Sequence, residues 1–169
     1  SSAASDVYKR QTESCPNISF LKIEIDKTTS QYEEYLENYF SELGNRKINL
    51  FTDISNYLSY ELGQPTHCYD FSKISSEIVL KTLEENMQFE TLTDKKVELS
   101  NSNLVFAMDN KIINLAGVMG GKETACSDST TTVLVECAFF VPESIIGKSV
   151  KYDLNSEAAH RFERGVDPA

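Results

Sequence analysis

Hydrophobic and polar positions follow two different periods along the chain, and the change of period divides it into helical and β-rich parts. Apolar residues between 30 and 43 recur at offsets of 3, 4, 7, 8 and 11, which predicts a helix with one buried face, ended by Gly44. Residues 53–62 predict a second helix, ended by Gly63. Residues 18–25 partly alternate and are rich in branched side chains, so they predict a strand ahead of both helices.

The chain becomes β-rich from residue 78 onward. The predicted strands share runs of branched or aromatic residues, and they are residues 78–83, 96–99, 104–108, 112–118 and 131–140. Residues 109–111 predict a tight turn between two of these strands. Two short helices are predicted at residues 142–152 and 156–164. Helices followed by strands and then helices predict the α+β class, with mixed β-sheets layered against helices in a single domain.

Size and charge limit the classes of function. The chain has 169 residues, 40 % of them hydrophobic, which suits one folded domain. The net charge of −10 argues against a protein that grips long nucleic acid backbones, although contact with the end of a strand remains open. No apolar run approaches the roughly 18 residues of a membrane helix, so we expect a cytoplasmic protein without membrane contact. We expect residues 1–11 to be a leader or an appended tail, and residues 12–169 to form a domain of a larger chain.

The four cysteines do not predict a disulfide framework or a metal site. Their separations are long and irregular, and no CxxC pair occurs. Adding His67 and His160 does not produce a spacing typical of zinc ligands either. We therefore predict reduced thiols and no metal.

Two segments of otherwise ordinary sequence contain residue types that carry chemistry. Residues 63–70 are predicted to form a loop, and His67 in this loop could move a proton or position a water near neutral pH. A structural histidine in a turn is the alternative. Residues 117–121 contain three glycines, which predicts either N–H groups presented to an oxyanion or simply a tight turn.

Glu136 interrupts a run of seven apolar residues between positions 133 and 140. A buried carboxylate is unfavourable unless it is hydrogen-bonded, so Glu136 either pairs with a fixed cation or receives a donor from a ligand. A position on the outer face of the strand is the alternative. The charged residues of the segment 155–168 are typical of a salt-bridged surface helix, and its small residues would leave space either for a ligand or for close packing.

Together and in this order, these segments resemble the editing domain of bacterial phenylalanyl-tRNA synthetase beta subunits. The family pattern is matched at residues 53–70, 117–121, 135–140 and 161–168, and the resemblance runs from about Arg46 to the end. The chain departs from the family pattern at four positions, and none of these departures removes a candidate site residue. They are Thr66 for leucine or methionine, Cys68 for alanine, Tyr69 for phenylalanine and Ser156 for threonine.

The resemblance implies a hydrolytic site that removes tyrosine wrongly attached to phenylalanine tRNA. An apolar synthetic pocket for phenylalanine cannot strongly reject an added hydroxyl, so a second site is needed. The family implies that Glu136 and His67 are the catalytic pair, with Glu136 accepting a hydrogen bond from the tyrosine phenol. The implied substrate-binding residues are Arg46, Asn56, Gly120, Ser156 and Ala158.

The resemblance also implies partners and leaves alternatives open. We expect no cofactor in this segment, whereas ATP and magnesium would serve the whole synthetase through its alpha subunit. The expected partners are the acceptor end of phenylalanine tRNA, the alpha subunit and the remaining beta-subunit modules. A non-catalytic module that positions tRNA or supports the synthetase is one alternative, and a free-standing trans-editing or RNA-modification domain is another. The presence of both Glu136 and His67 favours the hydrolase.

Overall fold

The structure, a computed structural model, describes residues 17–140, 143, 145 and 147–154. The predicted tail at residues 1–11 and the predicted helix at residues 156–164 lie outside the described residues. The elements follow one another as β1 (Asn17–Glu24), α1 (Glu34–Leu43), α2 (Leu50–Leu62), β2 (Thr66–Asp70), a 3₁₀ turn (Phe71–Lys73), β3 (Val79–Thr82), β4 (Met87–Glu90), β5 (Lys96–Leu99), β6 (Leu104–Met108), β7 (Lys111–Leu115), β8 (Met119–Gly120), β9 (Thr132–Phe139) and α3 (Lys148–Lys151).

A three-stranded sheet in the order β1-β9-β2 carries both residues of the predicted catalytic pair. The central strand β9 runs antiparallel to both neighbours. Its register places Glu136 opposite Phe20 on β1 and opposite His67 on β2. Because alternate residues of a strand point to opposite faces, Glu136 shares its face with Leu134 and Ala138.

The two faces of this sheet are covered by different layers. Leu134 and Tyr69 belong to the main hydrophobic core together with Phe106 of β6, which lies in the four-stranded sheet β3-β6-β7-β8. On the opposite face, Val133 packs with Phe51 of α2 in a separate cluster. Glu136 therefore lies on the side of β9 that faces the second sheet.

The α+β class is confirmed, with two differences in detail. We expected mixed sheets, but every strand pair among the described residues is antiparallel. Residues 66–70 form a strand and not the predicted loop. Thr66 and Cys68 are buried on one face of β2 and Tyr69 on the other, so the segment lacks the alternation that identifies a half-buried strand.

Polar side chains near the start of two helices explain why these helices begin at other residues than predicted. Helix α1 begins at Glu34, because the Thr29 hydroxyl accepts a hydrogen bond from the N–H of Gln31 in a local turn instead of capping the helix. Helix α2 begins at Leu50, three residues earlier than predicted, because the Asn49 side chain accepts from the N–H of Thr52.

A cluster of buried hydroxyls fastens α2 to β2. The Thr66 hydroxyl lies 2.9 Å from that of Ser55 and 3.0 Å from that of Ser59. The Ser59 hydroxyl also accepts from the N–H of Thr66 at 3.0 Å. These bonds fix the start of β2 against the helix, one residue before His67.

We expect Thr66→Val to lower the free energy of unfolding by about 1–3 kcal/mol, because it removes a buried hydroxyl and leaves its partners incompletely bonded. Urea unfolding of the chain measures the change. Thr82→Val is the matched control, since Thr82 is exposed on β3. Equal stability of the two variants would show that the hydroxyl cluster contributes nothing.

Candidate functional site

A cavity of about 120 Å³ opens where α2, β2, β9 and the glycine turn at residues 117–121 meet. Four of the residues predicted for the site line it, and they are Asn56, His67, Gly120 and Glu136. The remaining lining residues come from α2 and the loop before it, β2 and the residue before it, the loop after β4, β7 and the glycine turn, and they are Ile48, Thr52, Ser55, Pro65, Thr66, Cys68, Leu92, Thr93, Asn114, Gly117, Val118 and Met119.

His67 is a neutral side chain in the cavity wall. It lies on β2 directly opposite Glu136, and directly opposed residues have Cβ atoms about 4.5–5.5 Å apart. Burial lowers the pKa of His67 to about 4, so the imidazole is uncharged at neutral pH. Within the described residues, its buried Nε2 atom has no hydrogen-bond partner. The ring is therefore able to interact with a ligand or a water through this nitrogen.

Gly120 is required by the position of the His67 ring. A Cβ atom at residue 120 would overlap Cε1 of His67, and it would lie 2.8 Å from Nε2 and 3.0 Å from Cδ2 of Leu92. The backbone at Gly120 therefore passes close to the histidine ring. Any side chain at this position forces the ring to move.

Two N–H groups of the glycine turn donate to carbonyls of the preceding strand β7. The N–H of Val118 donates to the carbonyl of Leu115, and the N–H of Gly121 donates to the carbonyl of Ile113. Gly117 has a φ of 74°, a conformation that favours glycine. The interpretation as a tight turn therefore describes these groups better than the presentation of N–H groups to an oxyanion.

Glu136 is buried, with 1 % of its surface exposed, and its partners are neutral. The Tyr69 hydroxyl donates to Oε1 at 2.6 Å. The Asn114 amide donates to the Tyr69 hydroxyl at 3.0 Å and approaches Oε1 at 3.5 Å. Burial raises the pKa of Glu136 to about 7, while the bonds from Tyr69 and Asn114 lower it. Within the described residues the partner of the carboxylate is thus a phenol, and the expectation of a fixed cation is not met.

The other predicted site residues lie elsewhere. Arg46 is exposed in the loop between α1 and α2. It is not among the described residues that line the cavity, although Ile48 is. Ser156 and Ala158 lie outside the described residues, and their place in the pocket stays a prediction.

Asn114 and the role of Tyr69 were missed by the sequence reasoning. Asn114 lies in β7 between Ile113 and Leu115, and all three are buried. A polar residue inside an apolar strand is the signal that identified Glu136, and the same signal was present here. The pairing of Tyr69 with Glu136 depends on the strand register, which the sequence did not reveal.

The described residues contain neither a metal site nor a helix that could span a membrane. They contain no group of histidine, cysteine or acidic side chains arranged to hold a metal ion. No helix among them has the length and apolarity needed to cross a membrane.

The profile of the B3/4 domain matches residues 14–169, nearly the whole chain. The chain belongs to the B3/4 domain family. This B3/4 domain is 34 % identical to the phenylalanine–tRNA ligase beta subunit of Aliivibrio fischeri over 97 % of the chain and 21 % of that subunit. It is 42 % identical to the beta subunit of Francisella tularensis over 74 % of the chain and 16 % of that subunit. The family resemblance in the sequence is thereby confirmed.

The B3/4 domain spans about a fifth of the length of the curated relatives it matches, with 21 % coverage of the beta subunit of Methylococcus capsulatus at 34 % identity over 96 % of the chain. An N-terminal fragment of the phenylalanyl-tRNA synthetase beta subunit from Pyrococcus horikoshii shares its fold. That comparison has a TM-score of 0.53 and 12 % sequence identity, and it covers 78 % of this chain and 42 % of the fragment.

We expect Gly120→Ala in this B3/4 domain to displace the His67 ring and to expose it to water. The pKa of His67 then rises from about 4 toward the ordinary value of about 6.5. Proton NMR titration of the histidine Cε1–H resonances measures this shift, and the assignment follows from the resonance lost in His67→Gln. An unchanged titration of His67 in Gly120→Ala would show that the ring does not depend on the glycine.

Proposed function

We propose that this B3/4 domain is the editing domain of a phenylalanine–tRNA ligase beta subunit and hydrolyses tyrosine esterified to phenylalanine tRNA in the cytoplasm. The observation that carries the proposal is the direct opposition of His67 and Glu136 in one cavity wall. A neutral histidine and a buried acceptor provide the two functions that editing requires, which are activation of water and recognition of a hydroxyl.

Glu136 provides the discrimination between tyrosine and phenylalanine. A tyrosine phenol can donate to the buried carboxylate, whereas the hydrogen of a phenylalanine ring cannot replace that bond. Leaving a charged acceptor without its ligand donor costs about 1–3 kcal/mol or more. This corresponds to a preference for the tyrosyl ester of roughly 5- to 150-fold, since about 1.4 kcal/mol gives a factor of ten.

His67 positions the water that attacks the ester. Its Nε2 atom is buried and unpartnered within the described residues, and the lowered pKa keeps the ring uncharged near neutral pH. A neutral imidazole nitrogen that carries no proton accepts a hydrogen bond from water and orients the oxygen toward the carbonyl carbon. The reaction breaks the ester bond by adding water, yielding free tyrosine and the 3′-terminal hydroxyl of the tRNA.

Asn56 and Arg46 bind the nucleic acid part of the substrate. Asn56 lines the cavity from α2, where its amide can bind the ester or the terminal ribose. Arg46 is exposed in the loop before α2, and its guanidinium suits a terminal phosphate. Since the chain carries a net charge of −10, the body of the tRNA is held by other parts of the ligase. ATP and magnesium serve the whole ligase through its alpha subunit.

The first test compares the complete ligase with the same ligase carrying Glu136→Ala. Clearance of tyrosine from tyrosyl-tRNA is expected to fall at least tenfold, because the phenol loses its acceptor. Deacylation is followed with radiolabelled tyrosyl- and phenylalanyl-tRNA. Glu98→Ala is the matched control, since Glu98 is exposed on β5, and it should retain the rate of the unchanged enzyme.

The bond from Tyr69 to Glu136 gives the non-catalytic alternative a specific basis, because a carboxylate satisfied from within can be purely structural. Negligible clearance of tyrosine by the unchanged ligase, equal to that of Glu136→Ala, would contradict the editing function and support a module that positions tRNA or supports the ligase.

Replacing His67 separates hydrolysis from binding. We expect His67→Ala to slow deacylation of tyrosyl-tRNA by about 10²- to 10⁴-fold, because the attacking water loses its acceptor. Binding of an amide-linked tyrosyl-adenosine, which cannot hydrolyse, should change little. A variant that hydrolyses at the original rate would remove His67 from the mechanism.

A further inference from the structure

The hydrogen bonds around Glu136 converge on one of its two oxygens. Tyr69 donates to Oε1 at 2.6 Å, and the Asn114 amide nitrogen approaches the same oxygen at 3.5 Å. Among the described residues, each hydrogen bond to the carboxylate ends on Oε1. Since Glu136 lines the cavity, Oε2 is the oxygen left to interact with a ligand.

The direction of this network is fixed by the chemistry of its members. The Asn114 amide nitrogen can only donate, so the Tyr69 oxygen must be the acceptor in their 3.0 Å bond. The single phenolic proton of Tyr69 is then directed to Oε1 of Glu136. Burial and the nearby carboxylate raise the pKa of Tyr69 well above 10, so this proton is retained throughout the physiological range.

Packing holds the donor in place. The Tyr69 side chain is fully buried, with 0 % of its surface exposed. Its ring meets the His67 ring edge-on, with centroids 4.6 Å apart and an interplanar angle of 79°. The phenol therefore has little freedom to swing away from the carboxylate, and the carboxylate in turn has one oxygen immobilised.

We propose that Tyr69 and Asn114 form a clamp that immobilises Oε1 of Glu136 and presents Oε2 as a single acceptor for a phenolic hydroxyl bound in the cavity. This inference rests on the proposed function and adds two positioning residues that determine its specificity. A clamped carboxylate accepts one donor in one direction, which favours tyrosine over ligands whose hydroxyl lies elsewhere on the ring.

The clamp also favours the charged form of the carboxylate, because its bonds lower the pKa of Glu136 while burial raises that pKa to about 7. The groups that face Glu136 from the neighbouring strands are Phe20, His67, Tyr69 and Asn114. Because its pKa is about 4, His67 is neutral at higher pH. The loss of tyrosine binding as the pH falls is therefore determined by the protonation of Glu136 alone. Removing a donor that lowers the pKa of Glu136 raises this pKa, so tyrosine binding is lost at a higher pH.

The experiment measures binding and hydrolysis separately in the complete ligase. The probes are adenosine analogues that carry tyrosine or phenylalanine through a 3′ amide, with Glu136→Ala as the background for binding at other sites. In Tyr69→Phe we expect the ratio of tyrosyl to phenylalanyl affinity to fall on the order of tenfold at neutral pH. We also expect the tyrosyl affinity of this variant to be lost at a higher pH than that of the unchanged ligase. Asn114→Leu should change both in the same direction and by less.

Tyr152→Phe is the matched control, because its hydroxyl is also hydrogen-bonded, to Ser100 and Asn103, but it does not line the cavity. An unchanged affinity ratio in Tyr69→Phe would overturn the clamp, and so would an increased one, which would make the internal phenol a competitor of the substrate. Absence of hydrolysis by the unchanged ligase with its tyrosyl preference intact would instead contradict the proposed function and leave the clamp standing.

Discussion

The structure depends on the burial of one carboxylate at the centre of a sheet. Glu136 lies on the middle strand, on the side that faces the second sheet, where an unpaired charge would be strongly destabilising. Burial raises its pKa to about 7, and hydrogen bonds from Tyr69 and Asn114 offset part of that effect. Tyr69 lies on β2 and Asn114 lies on β7, so the carboxylate has both donors only when the two sheets are packed against each other.

The sequence predicted the fold class and most strands because burial imposes a visible period on them. It missed β2, β4 and β8, and it misplaced the start of α2, where a polar group decides the boundary. Strand β2 looked like a loop because Gly63 and Pro65 precede it and both of its faces are buried, and α2 starts early because Asn49 caps it. The shared cavity was predicted through the resemblance. Its internal hydrogen bonds were not, since contacts between distant strands depend on register.

The opposition of His67 and Glu136 follows from the antiparallel ladder and not from side-chain flexibility. Groups held on a ladder change position little when a ligand enters, which is the arrangement that favours preorganised recognition. Gly120 completes it by leaving room for the imidazole. The wall of the cavity formed by His67 and Glu136 is consequently preorganised, while Arg46 lies apart from it on an exposed loop.

The pairing of β1 with β9 has a consequence for how the chain acquires its structure. Asn17 pairs with Phe139, so the partners are separated by more than a hundred residues. Contacts of such high sequence separation slow folding, because the intervening chain must be ordered first. At a synthesis rate of about 5–20 residues per second, β1 waits roughly 5–25 s for its partner to leave the ribosome. During that interval the backbone N–H and C=O groups of β1 lack the strand that they pair with in the folded sheet.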